Sequence, residues 1–188
     1  MKTIEIKLYQ FNELSEKAQE RALEDLRDIN VQEDWWFDYI MEDAKDFCLC
    51  IEEFDIYRQD CKVVFFYDAD KTIKAIKENA GGELLRIAKE YEQQVSELLK
   101  AYSDYDKYQE WLTEMDYTLD DLGFEDWVIE ESGYQDDKES ADKEFLYDLS
   151  EYYLSTLQGS YDDYTSDEAV IDTIEGNEYE FTEDGKRY

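Results

Sequence analysis

From Leu84 onward an apolar or aromatic side chain recurs every seventh residue: Leu84, Tyr91, Leu98, Tyr105 and Leu112. Ala88, Val95, Tyr102 and Gln109 occupy the alternate seam position. A seven-residue repeat sustained over about four heptads is a helical signal, because seven residues span two turns and keep one stripe on one face. It commits roughly residues 83–113 to one long helix that must bury that stripe. Two arrangements satisfy it: a hairpin partner within the chain, or a second copy. The segment KEFLYDLSEYYLSTL offers the first, with Phe145, Leu149, Tyr152, Tyr153 and Leu157 at helical spacing. The expectation is a long helix packed on its own chain, hence a monomer. A homodimer through the Leu84 to Leu112 stripe is the other arrangement.

Around that helix the chain reads as α+β, mostly helical, with a small and mainly antiparallel sheet. TIEIKLYQF alternates Ile4, Ile6 and Leu8 against Glu5, Lys7 and Tyr9, the pattern of a half-buried strand. Ser15 is placed as an N-cap, before Ala18, Ala22, Leu26 and Ile29 at helical spacing. EDWWFDYIMEDAKDF puts Trp36, Ile40, Ala44 and Phe47 on one helical face. CIEEFDIYR and CKVVFFYD read as paired strands, and DKTIKAIKENAGG as a short helix ended by Gly81-Gly82. MDYTLDDLGFEDWVIEESGY reads as irregular. Thr165 to Glu168 has capping-box spacing ahead of Val170, Ile171 and Ile174, and EYEF reads as a strand followed by the tight-turn signal of EDGK. With no proline and seven glycines, no flexible linker stands out. Residues 1–188 are expected to form a single domain with one core, spanning Ile4 to Leu8, the Trp36 helix, KVVFFY and EYEF. Its possible lobes are an α/β part, 1–82, and an acidic helical part, 83–188.

Charge bounds what such a chain can bind. There are 52 acids and 19 bases, a net charge of -33. Residues 101–188 hold 28 acids and only five bases, a net of -23, together with 12 of the 17 tyrosines. That density repels nucleic acid and anionic membranes and attracts basic proteins. No apolar run approaches the ~18 residues that would span a membrane, and Met1-Lys2-Thr3 leads straight into IEIKLYQF with no signal-peptide segment. The expectation is a soluble, cytoplasmic protein. Cys48, Cys50 and Cys61 are odd in number and lack a second pair at zinc spacing, so they read as reduced thiols. There is no histidine, no phosphate-cradling glycine loop and no nucleophile elbow. Acidic pairs arise by composition alone here, and a nuclease needs bases to hold its substrate. No enzyme activity, cofactor or metal is expected.

YQFNELSEKAQERALEDLRD, Tyr9 to Asp28, resembles the opening of a group of proteins encoded by phages and integrated elements, some of which carry an antitoxin-like label. YTSDEAVIDTIEGNEYEFTEDGK, Tyr164 to Lys186, is similar to the same group at its other end. The two segments cover roughly a quarter of the chain. The resemblance implies a context, a mobile-element protein acting inside a bacterium, and supplies no motif whose residues can be carried over. Such genomes often encode acidic inhibitors of host defence, including DNA mimics of the anti-restriction and anti-CRISPR kind; that step is analogy by composition and context.

Carboxylates four residues apart on a helix lie about 6 Å apart along its axis, close to the phosphate spacing of one nucleic-acid strand. Glu110 with Glu114 has this spacing, and Asp148 with Glu151 and Asp120 with Asp121, three residues and one residue apart, are further acids that can lay a phosphate-like row. The expected partner-binding residues are Glu110, Glu114, Asp116, Asp120, Asp121, Glu125, Asp126, Glu130, Glu131, Asp136, Asp137, Asp162 and Asp163. A partner's arginines and lysines would meet them through charge-assisted bonds, and exposed tyrosines would add ring surface for stacking. The expected function is binding and inhibition of a basic, nucleic-acid-binding defence nuclease by mimicry. The alternative is an antitoxin-type module that neutralises a basic toxin or regulator without imitating DNA.

Overall fold

A computed structural model describes residues 6–118 and 121–188. In chain order the elements are β1 (Tyr9–Gln10), α1 (Glu16–Leu26), α2 (Trp35–Asp46), β2 (Leu49–Asp55), β3 (Asp60–Phe65), α3 (Ala69–Asn79), α4 (Gly82–Tyr102), α5 (Tyr105–Met115), α6 (Phe124–Glu130), α7 (Tyr134–Tyr164), α8 (Asp167–Gly176) and β4 (Glu180–Phe181). The fold is α+β and mostly helical. Among the described residues the strands form two separate two-stranded antiparallel sheets, β1 with β4 and β2 with β3, where the sequence suggested one. The chain divides into two compact units: residues up to Ile40 with Ser155–Tyr188, and Met41–Leu154. The boundaries fall inside α2 and α7 and not at residue 82, and EYEF and KVVFFY belong to different units.

The first unit is closed by residues distant in sequence. Phe11, Leu14, Ala18 and Ala22 pack with Val170, Ile174 and Phe181. Alanines at 18 and 22 keep the buried face of α1 small, so that α8 comes close. Phe11 meets Phe181 edge-on, 6.2 Å between ring centres. Among the described residues the first strand is shorter than expected. Of that segment's described residues Tyr9 and Gln10 alone are laddered, opposite Phe181 and Glu180 of β4. Phe11 then enters a 3-10 turn in which the Glu13 carboxylate accepts from the Gln10 amide at 2.8 Å. Ile6 is exposed, and Ile4 lies outside the described residues. The cap ahead of α8 is Ser166, whose Oγ accepts from the Ala169 amide at 3.2 Å. Thr165 instead donates its hydroxyl back to the Tyr161 carbonyl at 2.8 Å, ending α7. Asn30 binds this corner together, donating to the Tyr164 carbonyl at 3.0 Å and accepting from Thr173 Oγ1 at 2.7 Å.

In the second unit β2 and β3 pair as expected, with a bulge between Ile51 and Glu53. Asp55 holds the hairpin turn by accepting from the Tyr57 and Arg58 amides, both at 3.0 Å. β3 lies on α7: the Val63 amide donates to Ser150 Oγ at 3.2 Å, and Phe65 approaches Phe145 at 6.0 Å. Part of the heptad stripe is occupied within the chain. Tyr91 stacks on Phe145 at 4.4 Å, Gln94 reaches Glu144 at 3.0 Å, and Tyr102 meets Tyr134 at 6.2 Å. Residue numbers fall along α7 as they rise along α4, so the two helices are antiparallel.

The single helix expected over about 83–113 is two. Ser103 Oγ donates to the Leu99 carbonyl at 2.7 Å, and Asp104 leaves helical geometry. The Asp104 carboxylate then caps α5 by accepting from the Asp106 and Lys107 amides at 3.1 and 3.2 Å. Tyr105, a stripe position, is exposed as a result, while Leu84, Tyr91 and Leu112 are buried. The supposedly irregular stretch before α7 holds α6, whose Trp127 and Val128 pack with Tyr108, Leu112 and Tyr134.

Candidate functional site

Residues 104–137 carry thirteen acids and a single base, Lys107. The two helices inside this stretch have opposed faces. On α5, Tyr108 and Leu112 are one turn apart and buried; Glu110 and Glu114 are displaced by two residues, about 200°, and exposed. On α6, Trp127 and Val128 enter the same small core while Glu125, Asp126, Glu130 and Glu131 are exposed. Asp116 ends α5 in the left-handed region, at φ 57°. The Asp121 carboxylate accepts from the Thr118 amide at 2.7 Å and the Thr118 hydroxyl at 2.8 Å. Those bonds hold its carboxyl below the ordinary aspartate range. Asp136 and Asp137 stand in the first turn of α7, where negative charge suits the helix dipole.

Ten of the thirteen expected residues are therefore exposed in the second unit, on and beside α5, α6 and the start of α7: Glu110, Glu114, Asp116, Asp121, Glu125, Asp126, Glu130, Glu131, Asp136 and Asp137. Asp120 lies outside the described residues. Asp162 and Asp163 are exposed too, but in the first unit. They occupy the last turn of α7, where carboxylates oppose the dipole, and not only the approach to α8. Among the described residues none of these acids forms an ion pair; the pairs in this part of α7 are Lys138 with Asp142 and Lys143 with Glu139. Tyr105, Met115, Tyr117 and Ile129 are exposed between the carboxylates.

The reason tyrosines accompany so many acids is partly internal, and spacing did not reveal it. Tyr91 donates its hydroxyl to Asp142, Tyr102 to Asp137, Tyr153 to Asp43 and Tyr161 to Asp28. In a chain short of cations, a neutral O–H donor satisfies a carboxylate without needing a base. Tyr161 also rests on the ring of Trp36, 5.8 Å away, and Tyr164 on that of Trp35, 5.1 Å away, so both pack around the junction before α8.

These bonds have a consequence at high pH. Burial, then the Asp142 bond, push Tyr91 upward. Burial and Asp43 do the same to Tyr153, and the Asp137 bond leads for Tyr102. A phenol whose folded pKa is raised binds its proton more tightly folded than unfolded. Its contribution is complete below the unfolded value near ~10 and is lost as pH rises through the folded value. Stability is expected to be flat against tyrosine titration up to about pH 10 and to fall beyond it. Phenolate absorbance and far-ultraviolet dichroism, followed together, should show late-titrating tyrosines ionising with loss of helix. Full ionisation of all tyrosines with the helix intact would contradict this.

Among the described residues no group of three ligating side chains is placed to hold a metal ion. Cys48, Cys50 and Cys61 are free and half-buried. Burial, with Asp60 and Glu151, pushes the Cys61 thiol up to about 11, so it is not a thiolate nucleophile near neutral pH. No described helix is long and apolar enough to cross a membrane. No protein-family model, curated protein or solved structure matches the chain.

Proposed function

We propose that this chain binds a basic, nucleic-acid-binding protein, a bacterial defence nuclease or its complex, and blocks its nucleic-acid site by mimicry in the host cytoplasm. The observation that carries the reading is the set of ten exposed carboxylates on and beside α5, α6 and the start of α7, none of them ion-paired among the described residues. Glu110 with Glu114 and Asp126 with Glu130 repeat at one helical turn, about 6 Å, which approaches the spacing of phosphates. Exposed Tyr105 and Tyr117 offer faces to arginine. The resemblance of both chain ends to proteins of phages and integrated elements gives the setting. The reading assigns the chain no reaction of its own.

The test is capture from a bacterial lysate on the immobilised protein, repeated with excess duplex DNA and at raised salt. A basic nucleic-acid-binding protein should be recovered, displaced by DNA and lost as salt screens the contact. With Glu110→Gln, Glu114→Gln, Asp126→Asn and Glu130→Gln combined, binding should weaken by about tenfold or more. Exposed pairs contribute about 0–1 kcal/mol each and desolvated ones about 2–5. A partner that is not basic, or one that DNA does not displace, would overturn mimicry and favour an antitoxin-type module.

A further inference from the structure

Between α3 and α4 lies a cleft of about 380 Å³, within the size range of ligand pockets. Its floor is apolar: Ile73, Val95 and the nearly buried Tyr91. Its rim carries Asp70, Lys74, Lys77 and Glu78 from α3 and Glu92 from α4. The charges do not cancel. Lys77 is held by both oxygens of Glu92, at 2.7 and 2.9 Å. Asp70, Lys74 and Glu78 are exposed and make no ion pair among the described residues. Two carboxylates thus face one ammonium, in a chain of net charge -33. Behind the floor Asp142 accepts from the Tyr91 hydroxyl and is itself paired with Lys138. After burial and the Asp142 bond, Asp70 also raises the Tyr91 titration, which places its charge near that ring. A cation is favoured over an anion here.

The spacing says what kind of cation. Asp70 and Glu78 are eight residues apart on one helix, about 12 Å along its axis, with Ile73 between them. Four residues of extended peptide span about 13 Å, and alternate side chains point the same way. We propose that the cleft docks an extended basic segment of a partner protein with the pattern basic–x–apolar–x–basic. The central side chain lies on Ile73 and Val95, and the flanking cations lie at Asp70 and Glu78. Arginine suits the ends, since its planar fork matches a carboxylate. The proposal deepens the reading above by naming one contact of a basic partner and rests on it for who that partner is; the cleft is tested on the full chain alone.

The test is titration with the blocked peptide Arg-Ser-Leu-Ser-Arg, following the methyl resonances of Ile73 and Val95 by NMR at low salt. Saturable shifts are expected. Asp70→Asn with Glu78→Gln should weaken binding roughly three- to tenfold. Lys74→Gln should tighten it about two- to threefold by removing the like charge. The peptides Glu-Ser-Leu-Ser-Glu and Arg-Leu-Ser-Ser-Arg should bind more weakly, the first by charge and the second because its leucine faces away. These exposed substitutions leave the core intact, which circular dichroism checks. No saturable shift, equal binding of either control peptide, or weaker binding by the Lys74→Gln chain would overturn the proposal. Such a failure leaves the DNA-competition result untouched, and a partner that DNA does not displace leaves the peptide titration untouched.

Discussion

Gly185→Ala is expected to destabilise the first unit by about 3 kcal/mol or more, near the upper end of single-residue effects. Gly185 stands at φ +85°, a conformation costly for a residue with a Cβ. A Cβ built there falls 2.1 Å from the Ala18 carbonyl oxygen and 2.9 Å from its carbon. Both are main-chain atoms of α1, and they cannot rotate away. The turn itself is held by the Gly185 amide on the Thr182 carbonyl and the Thr182 amide on the Lys186 carbonyl, both at 2.9 Å. It returns the chain so that Arg187 bridges Phe181, a core residue. Relieving the clash means moving either α1 or the turn, and each move disturbs the Phe11–Phe181 contact. Gly159→Ala is the control. Gly159 lies inside α7, where an added Cβ meets nothing within 4 Å. That change should stabilise by roughly 0.5–1 kcal/mol, because glycine is a poor helix former. Urea unfolding of both variants, followed by fluorescence and dichroism, measures the contrast. A Gly185→Ala chain within ~0.5 kcal/mol of the parent, the range of a neutral surface change, would show that the turn does not sit on α1 as described.

Trp36→Ala should cost about 3–5 kcal/mol, and Trp35→Ala far less, roughly 0.5–1.5. The two neighbours differ in burial, not chemistry: Trp36 is 6% exposed and Trp35 50%. Trp36 is flanked edge-on by Phe37 at 5.2 Å and by Tyr161 at 5.8 Å, and its carbonyl accepts from Ser160 Oγ at 3.4 Å. Deleting the ring leaves a cavity lined by residues fixed in two helices. Trp35 keeps an edge contact with Tyr164, 5.1 Å away, and otherwise faces solvent. Denaturation midpoints of the two variants decide the matter. Equal losses would mean that the burial of this pair is assigned wrongly, and a near-neutral Trp36→Ala would make it a contact surface instead.

The difference between Trp35 and Trp36 is legible in the order of residues, because the spacing Trp36, Ile40, Ala44, Phe47 selects one face of a helix. The β2–β3 hairpin, α3, the Gly185 turn and the exposure of Glu110 and Glu114 on α5 are legible for the same reason, whereas α6 reads as irregular in the sequence and its exposed face is not legible there. Each is governed by residues within one or two turns of one another, and alternation, helical period or a glycine records that neighbourhood directly. The helix break is only half-recorded. Ser103-Asp104 has the residue types of a cap, but a heptad count registers apolar positions and is blind to a side chain that takes a backbone bond.

What lay beyond the sequence were the pairings made when the chain returns on itself. Glu180–Phe181 pairs with Tyr9–Gln10 and not with KVVFFY; Asn30 bridges to Tyr164 and Thr173; Tyr153 selects Asp43 and Tyr161 selects Asp28. With 52 carboxylates and 17 tyrosines available, spacing along the chain cannot say which hydroxyl meets which acid. The sequence alone determined how much negative charge the surface must carry and that most of it follows residue 100. Only the tertiary structure decided which carboxylates are held by tyrosine, threonine or lysine and which stand exposed without an ion pair among the described residues. A hydrogen bond depends on a donor and acceptor arriving within about 3 Å, and that proximity is set by packing, not by order along the chain.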